Sequence, residues 1–169
     1  KCAVVCPHSA IRIKLARPKD LAGAPEGFKD KEYKDRALPG RRLIVQVAPD
    51  DCTGCGVCSD ICPARSKSEL KHKSLDMEPA REHRDAERER FSFFLGLPET
   101  DRTQVRLDQV KGVAQLQPLF EFSLACSGCG ETPYIKTLTQ LFGDRMVIAN
   151  ATGCSSIFGG NLPTTPYTT

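Results

Sequence analysis

Residues 52–63 constrain this chain more than any others. They read Cys52-Thr53-Gly54-Cys55-Gly56-Val57-Cys58-Ser59-Asp60-Ile61-Cys62-Pro63, which fits C-x2-C-x2-C-x3-C-P without a mismatch. This is the spacing of bacterial loops that hold [4Fe–4S] clusters on cysteine thiolates. The reason is reach. A tight loop must set three sulfurs around one face of a cubane, and two-residue gaps do so when Gly54 and Gly56 let the backbone curl. The fourth cysteine, followed by proline, leaves the loop and ligates the other cluster of a pair. Zinc is the alternative metal, but zinc sites usually pair two C-x2-C knuckles across a longer gap.

The crossing rule distributes the remaining ligands. Cys52, Cys55 and Cys58 are expected to share one cluster with Cys6, and Cys62 is expected to share a second with Cys2. An internal repeat supports the pairing, since Cys2-x3-Cys6-Pro7 echoes Cys58-x3-Cys62-Pro63. The second cluster needs two further cysteines ahead of Cys2. With Lys1-Cys2-Ala3 at one end and a loop over 163–169 at the other, the chain reads as a piece of something longer.

Nine cysteines in 169 residues would suit a disulfide-rich secreted protein. Their count is odd, however, and they are bunched in C-x-x-C steps, so metal ligation in a reducing cytoplasm is the better reading. The chain is 40% hydrophobic with no Trp, which suits small loop-rich units. A net charge of +3, with the cysteines counted neutral, implies no nucleic-acid partner. No apolar run approaches the roughly 20 residues of a membrane helix.

The expected fold class is α+β, in three segments. Residues 1–66 hold six cysteines and form a ferredoxin-like two-cluster domain. Within it, residues 11–15 alternate as a strand, 42–47 form a second strand, and the polar, Pro- and Gly-rich 17–40 is an inserted loop. Residues 67–121 hold no cysteine and read as a charged linker. There, 78–90 is a solvated helix or linker with opposite charges at helical spacing. Phe91, Phe93, Phe94 and Leu95 then form a patch that docks on a neighbouring domain. In 122–169, Thr132 is the expected N-cap and Pro133 the first helical residue. Tyr134, Ile135, Leu138, Leu141 and Phe142 form an apolar stripe, and Gly143 stops the helix. A buried strand over 146–151 and a turn at Thr152-Gly153-Cys154 follow, an α-then-β step of the kind α/β domains use.

Cys126-Ser127-Gly128-Cys129 is a further C-x2-C that thioredoxin-like redox sites also share. Cys154 is the third cysteine of this segment, where a lone cysteine is more often a small buried residue. Three cysteines cannot complete a four-thiolate site, so a fourth ligand is expected beyond Thr169.

The third segment resembles one family closely. Ala125-Cys126-Ser127-Gly128-Cys129-Gly130-Glu131-Thr132-Pro133-Tyr134, Thr139-Gln140-Leu141-Phe142-Gly143-Asp144-Arg145-Met146 and Ile148-Ala149-Asn150-Ala151-Thr152-Gly153-Cys154-Ser155-Ser156-Ile157 are similar to the pyruvate:ferredoxin (flavodoxin) oxidoreductases. Leu95-Gly96-Leu97-Pro98 and the charged stretch before it are similar too. The family's members are thiamine-diphosphate enzymes that oxidise pyruvate and pass the acyl group to coenzyme A. They send electrons singly through three [4Fe–4S] clusters to ferredoxin or flavodoxin. The resemblance implies that 122–169 begins the α/β thiamine-binding domain. It implies that Cys126, Cys129 and Cys154 ligate the cluster nearest the thiamine, and that Glu131 and Cys154 approach that cofactor. Glu131 also has a simpler reading, since a carboxylate favours a helix N-terminus. The family's magnesium and diphosphate motif and its pyruvate-binding residues are absent, so no catalytic residue is expected here and the piece alone should not turn over pyruvate. The resemblance further implies a cytoplasmic enzyme, homodimeric at full length.

Two rival readings remain at this point. One is a stand-alone two-cluster electron carrier, which has no use for the segment after Phe122. The other is a zinc-binding interaction module, which would be colourless. Oxidoreductases for other 2-oxoacids, or with a fused NADP reductase, would share these residues.

Overall fold

A computed structural model describes residues 1–168. Helix α1 (Cys2–Val5) leads into strand β1 (Ile11–Ala16), and a 3-10 turn spans Pro18–Leu21. Strands β2 (Asp30–Glu32) and β3 (Arg42–Val47) follow, then helices α2 (Val57–Asp60), α3 (Ala80–Gly96), α4 (Val110–Val113), α5 (Thr132–Phe142) and α6 (Cys154–Gly159). The sheet is antiparallel with order β1-β3-β2. Ile11 lies opposite Val47 and Ala16 opposite Arg42, and Asp30 of β2 lies opposite Ile44.

Strands β1 and β3 stand where the alternation puts them. The expectation of a plain loop over 17–40 is corrected, because this stretch contributes edge strand β2. Its sequence, Asp-Lys-Glu, carries no apolar alternation. It is held by backbone pairing and by an ion pair from Arg42 to Asp30, and charges are common on edge strands because they discourage pairing with other chains.

Both faces of β1 are covered. Arg12 and Lys14 occupy the face that alternation assigns to water, yet both are buried. The reason is α3 and the chain that follows it. The Lys14 ammonium donates to the carbonyls of Leu95 (3.2 Å) and Leu97 (2.6 Å) and pairs with Glu99 at 2.8 Å. Arg12 pairs with Glu121 and lies 3.6 Å from Glu99. A buried cation is tolerable only with such partners.

Helix α3 is one continuous element that runs through the charged stretch into the phenylalanines. Its first turns are solvated, and Asp50 anchors them through Arg84 and Arg88, whose guanidinium groups hold the Asp50 carboxyl down at about 2. Its last turns seat Phe94 in a core with Ala16, Ile44 and Leu97. Phe91 stacks on Phe94 at 5.8 Å, and Phe93 meets Phe28 edge-on at 5.0 Å. The apolar patch therefore closes over the sheet of residues 1–66.

Helix α5 departs from its expected orientation. Glu131, not Thr132, occupies the N-cap, and Pro133 is the second helical residue. The buried face is polar, comprising Thr132, Lys136, Thr139 and Gln140, while Tyr134, Leu138 and Phe142 of the expected stripe are exposed. The polar face serves irregular backbone packed against it. Gln140 Nε2 donates to the Leu116 carbonyl (2.7 Å), Thr139 Oγ1 accepts from the Leu119 N–H (3.2 Å), and Lys136 reaches the carbonyls that end α1. Such carbonyls need donors when buried. The expected strand over 146–151 does not form, and Val147 and Ile148 are exposed. Cys154 opens α6 instead of closing a turn, and the loop reading for 163–169 extends to Thr169, outside the described residues.

Candidate iron-sulfur centre

The first cysteine loop folds as its glycines allow. Gly54 and Gly56 take φ of 68° and 77°, a left-handed conformation that strains other residues, and Gly56 is the N-cap of α2. Helices α1 and α2 pack against each other, so the two halves of the repeat meet at their cysteines. Cys6, Cys52, Cys55 and Cys58 line one cavity of about 530 Å³ together with Pro7, His8 and Leu75. Neither Cys2 nor Cys62 lines it. Cys62 is buried, and Cys2 is half-buried against the Ala3–Cys6–Ile11 core.

The electrostatics of the cavity fit a polynuclear iron group. Burial pushes the Cys58 thiol up, and Cys6, Cys52 and Cys55 push it in the same direction as neighbouring thiolates. Four thiolates this close need a positive core to exist together. Among the described residues, no three His, Cys, Asp or Glu side chains converge on a single ion position. His8 lines the same cavity. It is buried, and its Nε2 has no hydrogen-bond partner.

The second cysteine loop lies beside the first. Ser127 Oγ approaches Thr53 Oγ1 to 3.5 Å, a contact across 74 residues that no spacing rule signals. Cys126 is exposed and Cys129 half-buried, with a turn between them closed by Cys129 N–H donating to the Cys126 carbonyl (3.0 Å). Burial pushes the Cys129 thiol up, but the backbone N–H groups of Thr132 and Glu131 at the start of α5 outweigh it and bring it down overall. Helix starts stabilise thiolates in this way. Cys154 is exposed, and the three thiols do not converge on one ion position. Glu131 is exposed, and its charge, after burial, helps push the Tyr167 hydroxyl up.

Sequence reasoning missed Lys136. Its ammonium is buried and donates to the carbonyls of Ala3 and, at 3.2 Å, Val4. Burial brings it down to about 8, against the opposing pull of Cys6, Cys2 and Glu121. Between about 8 and the ordinary 10.5, the unfolded chain binds a proton that the folded chain does not, so stability should rise with pH in that window. Below about 8 the cost of burying the charge is fully present. Lys136→Met should flatten this rise by roughly 3 kcal/mol across the window, taking 1.36 kcal/mol per pH unit. Urea unfolding at pH 7 and pH 10 measures it. Thiol titration is common to both proteins, so equal pH slopes would refute the assignment.

Residues 1–66 match the family model of the 4Fe-4S dicluster domain. That segment is therefore a 4Fe-4S dicluster domain, a class of domain that carries electrons. Over 168 residues the chain is 55% identical to the pyruvate-flavodoxin oxidoreductase of Trichormus variabilis and 53% identical to the pyruvate:ferredoxin oxidoreductase of Moorella thermoacetica, covering 99% of this chain and 14% of each relative. It is 44% identical over 172 aligned residues to the pyruvate dehydrogenase [NADP(+)] of Cryptosporidium parvum, covering 99% of this chain and 8% of that relative. Over nearly its whole length the chain is similar to one stretch of these oxidoreductases, as its resemblance implied, and it spans about one seventh of the length of the first two relatives (14%). Among the described residues no helix is long and apolar enough to cross a membrane.

Proposed function

We propose that this chain is the electron-relay segment of a cytoplasmic enzyme that oxidatively decarboxylates pyruvate to acetyl-coenzyme A. Cys6, Cys52, Cys55 and Cys58 hold one [4Fe–4S] cluster, and Cys2 and Cys62 contribute to a second. Cys126, Cys129 and Cys154 contribute to a third, nearer the thiamine diphosphate of the full-length enzyme. When bound, such a cluster takes up and gives back one electron at a time. The residues of this chain orient the thiolates, exclude water and set the charge around them.

The observation that carries this reading is the contact of the Cys126–Cys129 loop with the Cys52–Cys58 loop at Ser127 and Thr53. A stand-alone carrier has no need of it. Residues 67–121 then act as linker and cover, and 122–169 as the start of an α/β domain. The apolar side chains exposed on α5 and at Val147 and Ile148 support that start, since they suit burial against further chain. Glu131 and Cys154 are exposed and do not by themselves form a diphosphate or magnesium site. Ferredoxin or flavodoxin is the proposed acceptor and a homodimer the proposed full-length state. The NADP-linked relative keeps a reductase-fused form as the second reading.

The test is made in the full-length enzyme. Cys129→Ala should lower pyruvate-dependent reduction of ferredoxin or flavodoxin at least tenfold. Dithionite should still reduce the cluster on Cys6, Cys52, Cys55 and Cys58, followed by its electron paramagnetic resonance signal. Undiminished pyruvate-dependent reduction would overturn the relay.

A further inference from the structure

Three lysine and arginine side chains are buried among the described residues: Arg12, Lys14 and Lys136. Two of them meet carboxylates, Arg12 at Glu121 and Lys14 at Glu99. Lys136, only 4% exposed, meets the carbonyls of Ala3 and Val4 instead. A carbonyl satisfies an N–H but does not neutralise a charge, and a buried charge without a counter-charge is unfavourable. The counter-charge for Lys136 should therefore lie beside Ala3 and Val4.

Two thiols flank that place in the chain. Helix α1 begins at Cys2, and Cys6 is its C-cap, so Ala3 and Val4 stand between them in sequence. Cys6 packs in one core with Ala3 and lines the four-cysteine cavity. The charges acting on the ammonium agree with this placement. Burial opposes its charge most, Cys6 is the strongest influence in its favour, Arg12 opposes it, and Cys2 and Glu121 favour it. Glu121 is already engaged by Arg12, which leaves the cysteine sulfurs as the uncommitted anions. Lys136 itself comes from α5, in the segment that carries Cys126 and Cys129.

We infer that Lys136 supplies the buried counter-charge for the cluster held by Cys6, Cys52, Cys55 and Cys58, and thereby raises that cluster's reduction potential. The inference rests on the ligand set proposed above. A cluster on four thiolates is anionic and becomes more so when it takes up an electron, so a fixed cation nearby favours the reduced state. Lys136 is thus a tuning residue that acts across α1 and supplies no ligand. It also gives the third segment a part in setting the potential of the first.

The test uses the chain reconstituted anaerobically with iron and sulfide, comparing the parent with Lys136→Met, Lys136→Gln and Lys136→Arg. Iron and sulfide content is measured first. The midpoint is then read at pH 7 in a titration followed by electron paramagnetic resonance. Lys136→Met and Lys136→Gln lack the charge, Lys136→Gln keeps an N–H for the α1 carbonyls, and Lys136→Arg keeps the charge. At the poise that half-reduces the parent, the Met and Gln variants should show a reduced-to-oxidised ratio roughly tenfold lower, the order expected of one nearby unit charge at an effective dielectric of about 20. For a one-electron couple that is about 59 mV. Lys136→Arg should stay close to the parent. A loaded Lys136→Met with the parent's midpoint overturns this inference alone. So does Lys136→Gln at the parent's midpoint, because a hydrogen bond to α1 would then suffice without the charge. If Lys136→Met cannot be loaded, equal midpoints in Lys136→Gln and Lys136→Arg overturn it. A parent that takes up no iron, or whose Cys58→Ser variant keeps the full signal, overturns the ligand set and this inference together.

Discussion

Replacing Cys58 by Ser should remove most of the broad absorbance near 400 nm from the reconstituted chain, while Cys62→Ser should leave it nearly intact. The two residues are one helical turn apart and carry the same thiol, so a model in which all four loop cysteines serve one metal predicts equal losses. The difference arises from direction. Cys58 lines the cavity with Cys52, Cys55 and Cys6, whereas Cys62 is buried just after α2, with its Sγ 3.7 Å from the Ala64 carbonyl. Loss of one thiolate from a four-thiolate site leaves an iron corner without its ligand and a cluster prone to dissociate. Cys6→Ser should match Cys58→Ser although 52 positions separate them in sequence. Iron content and absorbance per chain measure all three variants. Equal losses in Cys58→Ser and Cys62→Ser, or a Cys6→Ser indistinguishable from the parent, would reject the crossing pattern.

Phe94→Ala should cost about 3–5 kcal/mol of stability, the range for deleting a buried phenylalanine ring. Phe94 has no exposed surface and packs on Ala16, Ile44 and Leu97. Lys14 Nζ also sits 5.0 Å from its ring centre, which adds a cation–π contribution. The consequence reaches the site, because His83, Arg84 and Glu87 of the same helix form a wall of the four-cysteine cavity. A loosened α3 should admit water and oxygen, so cluster loss in air should quicken in parallel. Urea unfolding with unchanged m-value measures the first effect, and the decay of absorbance in air measures the second. A cost below about 1 kcal/mol would show that α3 is not seated as described.

Much of the first segment was legible in the sequence. Ile11, Ile13 and Leu15 mark β1, and β3 lies where its apolar run begins and ends. What alternation could not show is that Arg12 and Lys14 are buried too. Their partners, Glu99 and Glu121, lie more than 80 residues away, and nothing local marks β1 as covered on both faces. Strand β2 was missed for a related reason, since a three-residue charged edge strand is specified by β3 and not by its own pattern. In α5 the period of 3.6 was read correctly, but the wrong face was buried. Periodicity reports that a helix has two faces. Which face is covered depends on what lies against it, and here that is backbone carbonyl at Ala3, Val4 and Leu116.

The sequence by itself determined the chemistry. Cysteines spaced by two residues, with glycines able to take a left-handed turn, are local properties, and local geometry decides which sulfurs a single loop can present. The family resemblance is also carried by consecutive residues. Only the tertiary structure decided which distant groups surround those sulfurs. It closed Cys6 onto the 52–58 loop, turned the polar face of α5 inward, and set Ser127 against Thr53. Each of these joins residues far apart in the chain. Such contacts are selected by the packing of whole elements, to which the spacing of neighbouring residues is blind.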